Sequence, residues 1–488
     1  MPNPNGDSCA AASKIIKILC IKERKKIMSY SAIYNEIDKE EKKLVELAQK
    51  MWENPETAYN EVNACKWMAE VLKGYGFEVE VGYVGLPTAI KATWGKGHPV
   101  IGILGEYDAL PGMSQKVKTE KDPVVLGAPG QGCGHNLLGV SSLGAVIGMK
   151  AELEAKGLEG TVVYYGCPAE EVLTGKAFMA RNGAFRDIDL ALSWHGSSMN
   201  TLTDGTMTGL NSAIFHFKGR TAHAGGDPHN GRSALDAAEL MSVGANYLRE
   251  HVTSDVRIHY VYKEAGTAPN IVPDKASVWY YVRAMSREAI EDTYERLVKV
   301  AKGAAMMTET EMKIEFLGGC YNTLNNKVVL DAVHQAMNEV ELPKWTKEEL
   351  AFADALNKQS PMYDKMKAAG MLDGAAIHSG VTEIEHTDGY GSTDVGDVMH
   401  IVPCAQVMTA CWNLAAPGHS WQITACSGMS IGQKGMLYGA KVMAAASAKF
   451  YEDPALLEKA KAEFNKVMNG RSYKCPIPMD IPIPQPKK

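Results

Sequence analysis

The ten cysteines of this 488-residue sequence include no C-x-x-C pair. That argues against a zinc ribbon and against a dense disulfide framework, so they read as free, reduced thiols. No stretch approaches the ~20 consecutive apolar residues of a membrane span. The early run "KIIKILCIKERKKIM" is too short and too lysine-broken for a signal-peptide core. Positive charge is not in excess either: 51 Lys+Arg against 57 Asp+Glu leave a net charge of -6 and no basic footprint for nucleic acid. No internal repeat is evident. These absences point to a cytoplasmic protein with a small-molecule or protein partner and exclude a membrane or nucleic-acid partner.

What is present is ordinary globular material, 45% hydrophobic and 22% charged, at a length that suggests two or three domains. Residues 1–27 are expected to be a poorly ordered leader, with Met28 as an alternative start. Leu44, Leu47, Ala48 and Met51 recur at helical spacing, and a second helix follows in "NEVNACKWMAEVLKGYG". "EVEVGY", "PVIGILG", "GTVVYYG" and "DLALSWH" read as strands, with helices near 142–156 and 174–182 between the later ones. Strands alternating with helices predict an α/β domain with a sheet flanked by helices. From about 209 the order becomes β-α-β-β-α-β, through "SAIFHFKG", a helix at 230–251, "VRIHYVYK", "KASVWYYVRA", a helix at 286–304 and "MKIEFLG". That is a ferredoxin-like unit inserted into the first domain. The expected division is thus 28–208 with 326–488, interrupted by 209–325. The stretch 340–385 is hard to read, and the proline-rich tail should be extended.

Four places bring metal-type side chains to strand ends or the loops after them: Cys133 with His135, the Glu170-Glu171 pair, His195 and His419. In an open α/β sheet the loops beyond the strands' carboxyl ends converge on one crevice. Taken singly, Cys133 reads as a buried thiol, the histidines as satisfied or surface groups, and the glutamates as a solvated turn. Taken together they form the thiolate, imidazole and carboxylate set that zinc and related divalent ions choose. If the two glutamates lie in an extended segment they point opposite ways, one toward a metal and the other toward the water it activates.

These motifs resemble the M20 family of metallopeptidases in its amidohydrolase branch, which includes the aminobenzoyl-glutamate hydrolases. The matching stretches are "GEYDALPG", "GCGHN", "CPAEE", "SWHG", "GRTAHAGGDPHNGRSALDA", "APNIVPDKA", "GSTDVGDV" and "PGHSWQ", in the family's order from about residue 30 onward. The resemblance implies a catalytic α/β domain with an inserted lid and dimerisation domain. It implies that Cys133, His135, Glu171, His195 and His419 hold two divalent ions, Zn or Mn, with Glu170 as general base. Asp108 falls where the family has an acidic residue behind the metal site. His223 and Asn270 match lid residues that reach across the dimer to stabilise an oxyanion. Arg283 reads equally as an exposed strand cation and as a clamp for a substrate carboxylate. Two positions depart from the pattern: Asn136 follows C-G-H where many members of the branch carry Asp, and Glu106 stands where other M20 peptidases place a ligand histidine.

The expected activity is metal-dependent hydrolysis of N-acyl or N-aroyl amino acids such as aminobenzoyl-glutamate, by a homodimer or by a pair with a homologous second subunit. A dipeptidase or aminoacylase of the same family is the nearest alternative. Two others stay open: a hydrolase with Cys133 as nucleophile, and a subunit that turns over nothing without a homologous partner.

Overall fold

The computed structural model describes residues 30–372 and 374–487; the expected leader, 1–27, lies outside them. Two helices come first, α1 (Ser31–Glu53) and α2 (Val62–Gly74). α1 buries Ile33, Ile37, Leu44, Leu47, Ala48 and Met51, the stripe its spacing predicts. Next come β1 (Glu78–Val81), β2 (Ile90–Lys96), β3 (Val100–Glu106), α3 (His135–Lys156), β4 (Gly160–Cys167), α4 (Gly175–Arg181) and β5 (Leu190–Ser197). β2 is not among the strands expected from the sequence. It buries Ile90 and Ala92 while its last residues are exposed, so it lacks a continuous apolar run. α3 begins at His135 rather than near 142. It is buried on every side from His135 to Met149, and a helix without a polar face shows no 3.6-residue pattern.

The inserted unit contains β6 (Gly209–Lys218), α5 (Ala234–Leu248), β7 (Arg257–Glu264), β8 (Lys275–Ala284), α6 (Arg287–Thr308) and β9 (Glu311–Cys320). Its sheet runs β7-β8-β6-β9 with every pair antiparallel. This is the βαββαβ order, and it has its own core around Phe215, Met241, Tyr280 and Leu297. Ser233 and Ser286 cap the two helices by accepting the amides of Asp236 and Ala289.

The chain then adds α7 (Lys327–Glu339), α8 (Lys347–Asn357), α9 (Tyr363–Ala368), α10 (Val395–Met399), β10 (Cys404–Ala410), α11 (Trp421–Ser427), α12 (Ser430–Glu452) and α13 (Pro454–Met468). The stretch 340–385 thus holds two helices, the first started by a Thr346/Glu349 capping box. β10 lies within the glycine-rich passage and pairs in parallel with β5, from Cys404 opposite Ala191 to Ala410 opposite Ser197.

The large sheet runs β1-β2-β4-β3-β5-β10. β4, β3, β5 and β10 are parallel, and β2 is antiparallel to β1 and β4. α3 covers one face and packs against α1 and α12. The opposite face is covered through Tyr165, Met179 and Val398, which places α4 and α10 there. Helices on both faces leave only the strand ends open to a ligand. No helix among the described residues is long and apolar enough to cross a membrane.

Candidate active site

The four parallel strands aim their carboxyl ends at one crevice. β3 ends at Glu106 and leads into Asp108, β4 leads into the Glu170-Glu171 turn, β5 carries His195, and the loop after β10 carries His419. Gly134, with φ 78°, is the left-handed residue at which the chain turns into α3, so His135 sits at the helix's first position, fully buried. Gly134 and Gly196 also leave room for Trp412: a Cβ on either would lie 3.1 or 2.6 Å from its ring. Trp412 in turn meets the His195 ring edge-on, centroids 6.5 Å apart.

All five expected ligands converge. Cys133, His135 and His195 present ligand atoms within 4.8 Å of one another, and so do Cys133, Glu171 and His419. The two groups share the Cys133 sulfur, which lies 3.2 Å from His195 Nε2. His195 Nδ1 faces the Gly196 carbonyl at 2.5 Å, so the proton belongs on Nδ1 and the Nε2 lone pair faces the sulfur. His135 Nδ1 lies 3.0 Å from Asp108 Oδ1, and its Nε2 is buried without a hydrogen-bond partner. Glu171 Oε2 lies 3.5 Å from His419 Nε2, and Glu171 Oε1 is likewise buried and unpartnered.

The glutamate pair does not lie in an extended segment. Glu170–Val172 form a 3-10 turn flanked by Ala169 at φ 59° and Leu173 at φ 58°. The two carboxylates diverge because of that turn, not because of strand alternation. Glu170 is buried, with Oε2 3.9 Å from His135 Nε2, while Glu171 reaches His419. Gly175 is required just beyond, since a Cβ there would meet the Pro168 carbonyl at 1.7 Å. Glu61, buried behind the turn, accepts the amides of Ala169 and Tyr59, each at 2.9 Å, and a sequence reading had no signal for it.

The electrostatics show what the pocket is built to take. Burial, aided by the charge of Glu106, raises the Glu170 carboxyl well above its usual range, and burial raises Glu171 to about 7. The Cys133 thiol is pushed up to about 12 by burial, and His195 is pushed down to about 4. Burial alone would also lower His135, but Cys133 and the bond to Asp108 outweigh it and favour the imidazolium. Buried anions this close require compensating positive charge. Orphaned Nε2 and Oε1 atoms pointing inward, with a soft sulfur at the centre, fit divalent cations as its source. The thiol-nucleophile alternative needs a thiolate, and burial holds the Cys133 thiol up near 12 while the imidazole facing its sulfur, His195, is pushed down to about 4.

Arg283 is not an exposed strand cation. It lines the same cleft of about 510 Å³, together with Cys133, Glu170, Glu171, His195 and His419. One guanidinium nitrogen donates to Ser392 Oγ at 2.8 Å, and Nε is buried without a partner. His223 and Asn270 are neighbours on the inserted unit, joined by the Ala224 amide donating to the Asn270 carbonyl at 3.0 Å. Both are exposed and absent from the cleft wall, so a single chain does not bring them to the cluster. Asn136 is buried beneath the site and donates to the carbonyls of Ala48 and Ser427 at 3.1 Å, a packing role. Glu106 is held by Lys176, which also pairs with Asp394. All three are buried, and the pairing of Lys176 and Asp394 was not foreseen.

Comparison with known proteins follows the same lines. A family profile for the peptidase dimerisation domain matches residues 206–306. One of the subunits of p-aminobenzoyl-glutamate hydrolase from Escherichia coli (strain K12) is 37% identical over 94% of this chain and 99% of its own. The Xaa-Arg dipeptidase of Mus musculus is 27% identical over 88% of this chain and 90% of its own. Among solved structures, a dinuclear metal-binding peptidase of the M20 family from Bacillus subtilis shares the fold. It superposes with a TM-score of 0.55 at 18% identity, covering 84% of this chain and 98% of that one. With a relative this similar along almost its full length, the chain belongs to the M20 family of metallopeptidases, in its amidohydrolase branch.

Proposed function

We propose that this protein hydrolyses the amide bond of N-acyl or N-aroyl amino acids, with aminobenzoyl-glutamate as the leading substrate, at a site holding two divalent ions, zinc or manganese. The observation that carries the reading is the convergence of Cys133, His135, Glu171, His195 and His419 on two groups sharing one sulfur. Divalent ions bound there supply Lewis acidity to the scissile carbonyl and to the attacking water.

The chain's own residues supply the rest. Glu170, buried and raised in pKa, takes the proton from the attacking water and returns it to the leaving amine. Asp108 keeps the proton of His135 on Nδ1. Arg283, the one guanidinium on the cleft wall among the described residues, takes the substrate carboxylate, and Met207, Met408, Tyr281 and Trp412 provide apolar surface for an aryl group. The 209–325 unit acts as lid and dimerisation domain, and His223 and Asn270 reach a partner's site to stabilise the oxyanion.

The dimerisation-domain match, the exposed Leu240, Val243 and Tyr247 on α5 and the exposed Val261 on the edge strand β7 support a dimer through this unit. A second reading, activity only with a homologous partner chain, is favoured by one fact, the naming of the E. coli relative as a subunit.

The test is hydrolysis of aminobenzoyl-glutamate, other N-acyl amino acids and dipeptides by the purified protein, before and after chelation, with metal content measured on the same sample. Turnover lost on chelation and regained with Zn²⁺ or Mn²⁺ is expected. Activity without metal refutes the site, and bound metal without turnover on any substrate favours the partner-dependent reading.

A further inference from the structure

A third group of ligand-type side chains lies beside the two that share Cys133. Glu106, His135 and Glu170 are all buried and present ligand atoms within 4.8 Å of one another. In composition it is a metal site, yet a cation held there between Glu106 and Glu170 would take Glu170 from proton transfer.

The structure provides that group with its own cation. Lys176 is fully buried, with Nζ 2.5 Å from Glu106 Oε1 and 2.5 Å from Asp394 Oδ1. The other oxygen of Glu106 lies 3.5 Å from His135 Nε2. Asp394 is held in place beside it, because the Lys176 backbone amide donates to its second oxygen at 2.8 Å. Asp394 in turn follows Ser392 and Thr393 of the cleft wall, where Arg283 is bound. Burial alone would drive the proton from Lys176, but the charges of Asp394 and Glu106 outweigh it and keep the ammonium.

We propose that Lys176 is a positioning residue whose ammonium fills the cationic place of the Glu106–His135–Glu170 group, keeping Glu106 out of the metal-ligand set and Glu170 free to carry protons. A carboxylate already in contact with a buried ammonium has its charge compensated. A divalent ion arriving at the same carboxylate would also face that ammonium's repulsion at short range and low dielectric. The inference rests on the metal reading of the Cys133 site and concerns this chain's means of confining metal to it.

The test uses the full chain, stripped by chelation and reloaded with Zn²⁺, with bound metal per chain measured alongside hydrolysis. Lys176→Met is expected to hold one more ion per chain than wild type and to lose kcat by about 100-fold or more, the contribution of a general base. Adding Glu106→Gln to that variant should return the metal count to the wild-type value and restore most of kcat. Lys176→Met with the wild-type metal count overturns the proposal whatever its activity, and so does a double variant that remains as impaired as the single. If Lys176→Met does not fold, Glu106→Gln alone decides: an unchanged metal count supports the proposal, and loss of an ion makes Glu106 a ligand and overturns it. A wild-type chain that binds no divalent ion refutes the metal reading itself, which separates the two failures.

Discussion

Asp108 binds two residues of the site at once: Oδ1 lies 3.0 Å from His135 Nδ1, and Oδ2 accepts the backbone N–H of Glu171 at 2.9 Å. One buried carboxylate thus orients an imidazole from α3 and a glutamate from the turn after β4. An asparagine can accept only one of these bonds and presents a donor to the other. Asp108→Asn should weaken metal affinity by about 10- to 100-fold, measured by competition with a chromogenic chelator. Unchanged affinity would remove Asp108 from the site's support.

Among the described residues, no backbone donor to the Glu170 carboxylate explains its place in a dry turn. Glu170→Gln keeps the side chain's size and should retain the metal and the melting temperature while turnover falls by at least about 100-fold. A variant with most of its activity left would end the general-base assignment.

Arg283 meets the cleft with an unpartnered Nε and a pKa lowered by burial. Arg283→Met should reduce kcat/KM by on the order of 100-fold for substrates with a free carboxylate, mainly through KM. The same substrates capped as amides should show little difference between wild type and variant. Equal losses on both would point to a structural role.

His223 and Asn270 stand exposed and away from the cleft of their own chain. If they act across a dimer, His223→Ala and Glu170→Gln should each be nearly inactive alone, yet a mixture unfolded and refolded together should regain activity. In a mixed dimer one site carries both intact residues. No recovery, with mixed dimers demonstrated, would place His223 outside the reaction.

Stability should carry a pH signature from His400. This residue is buried against Tyr321, ring centroids 4.5 Å apart, and burial pushes its pKa down to about 4. The unfolded chain protonates it near 6.5. Between these values the unfolded state binds more protons, so stability is present above about 6.5 and is lost as pH falls toward 4, by about 3 kcal/mol from this group. Asp397, raised to about 7 by burial, acts in the opposite direction, losing stability as pH rises toward 7. The His400 share is therefore read as the difference between wild type and His400→Asn, whose amide can still donate to the Gly396 carbonyl. Parallel stability curves from pH 7 to pH 4 would refute it.

Much of the architecture was legible because it is local. Continuous apolar runs marked β3, β4 and β5, periodic patterning marked α1, α2 and the inserted unit, and each candidate ligand sits in a short motif at a strand end or in the loop after it. What was not legible lacks a local pattern. α3 is buried all round from His135 onward, and β2 and β10 take their pairing from strands far away in sequence.

Within the site, the amino-acid order by itself determined which side chains can bind a metal and, through the order of strands and helices, that their loops meet at one edge of a parallel sheet. Only the tertiary structure decided how they meet. The 3-10 turn separates the two glutamates, Asp108 joins His135 to Glu171, and Arg283 swings from the inserted unit into the cleft. Lys176 and Asp394, 218 residues apart, close around Glu106. Those relations depend on burial and on charges held a few ångströms apart, and neither exists until distant segments have packed.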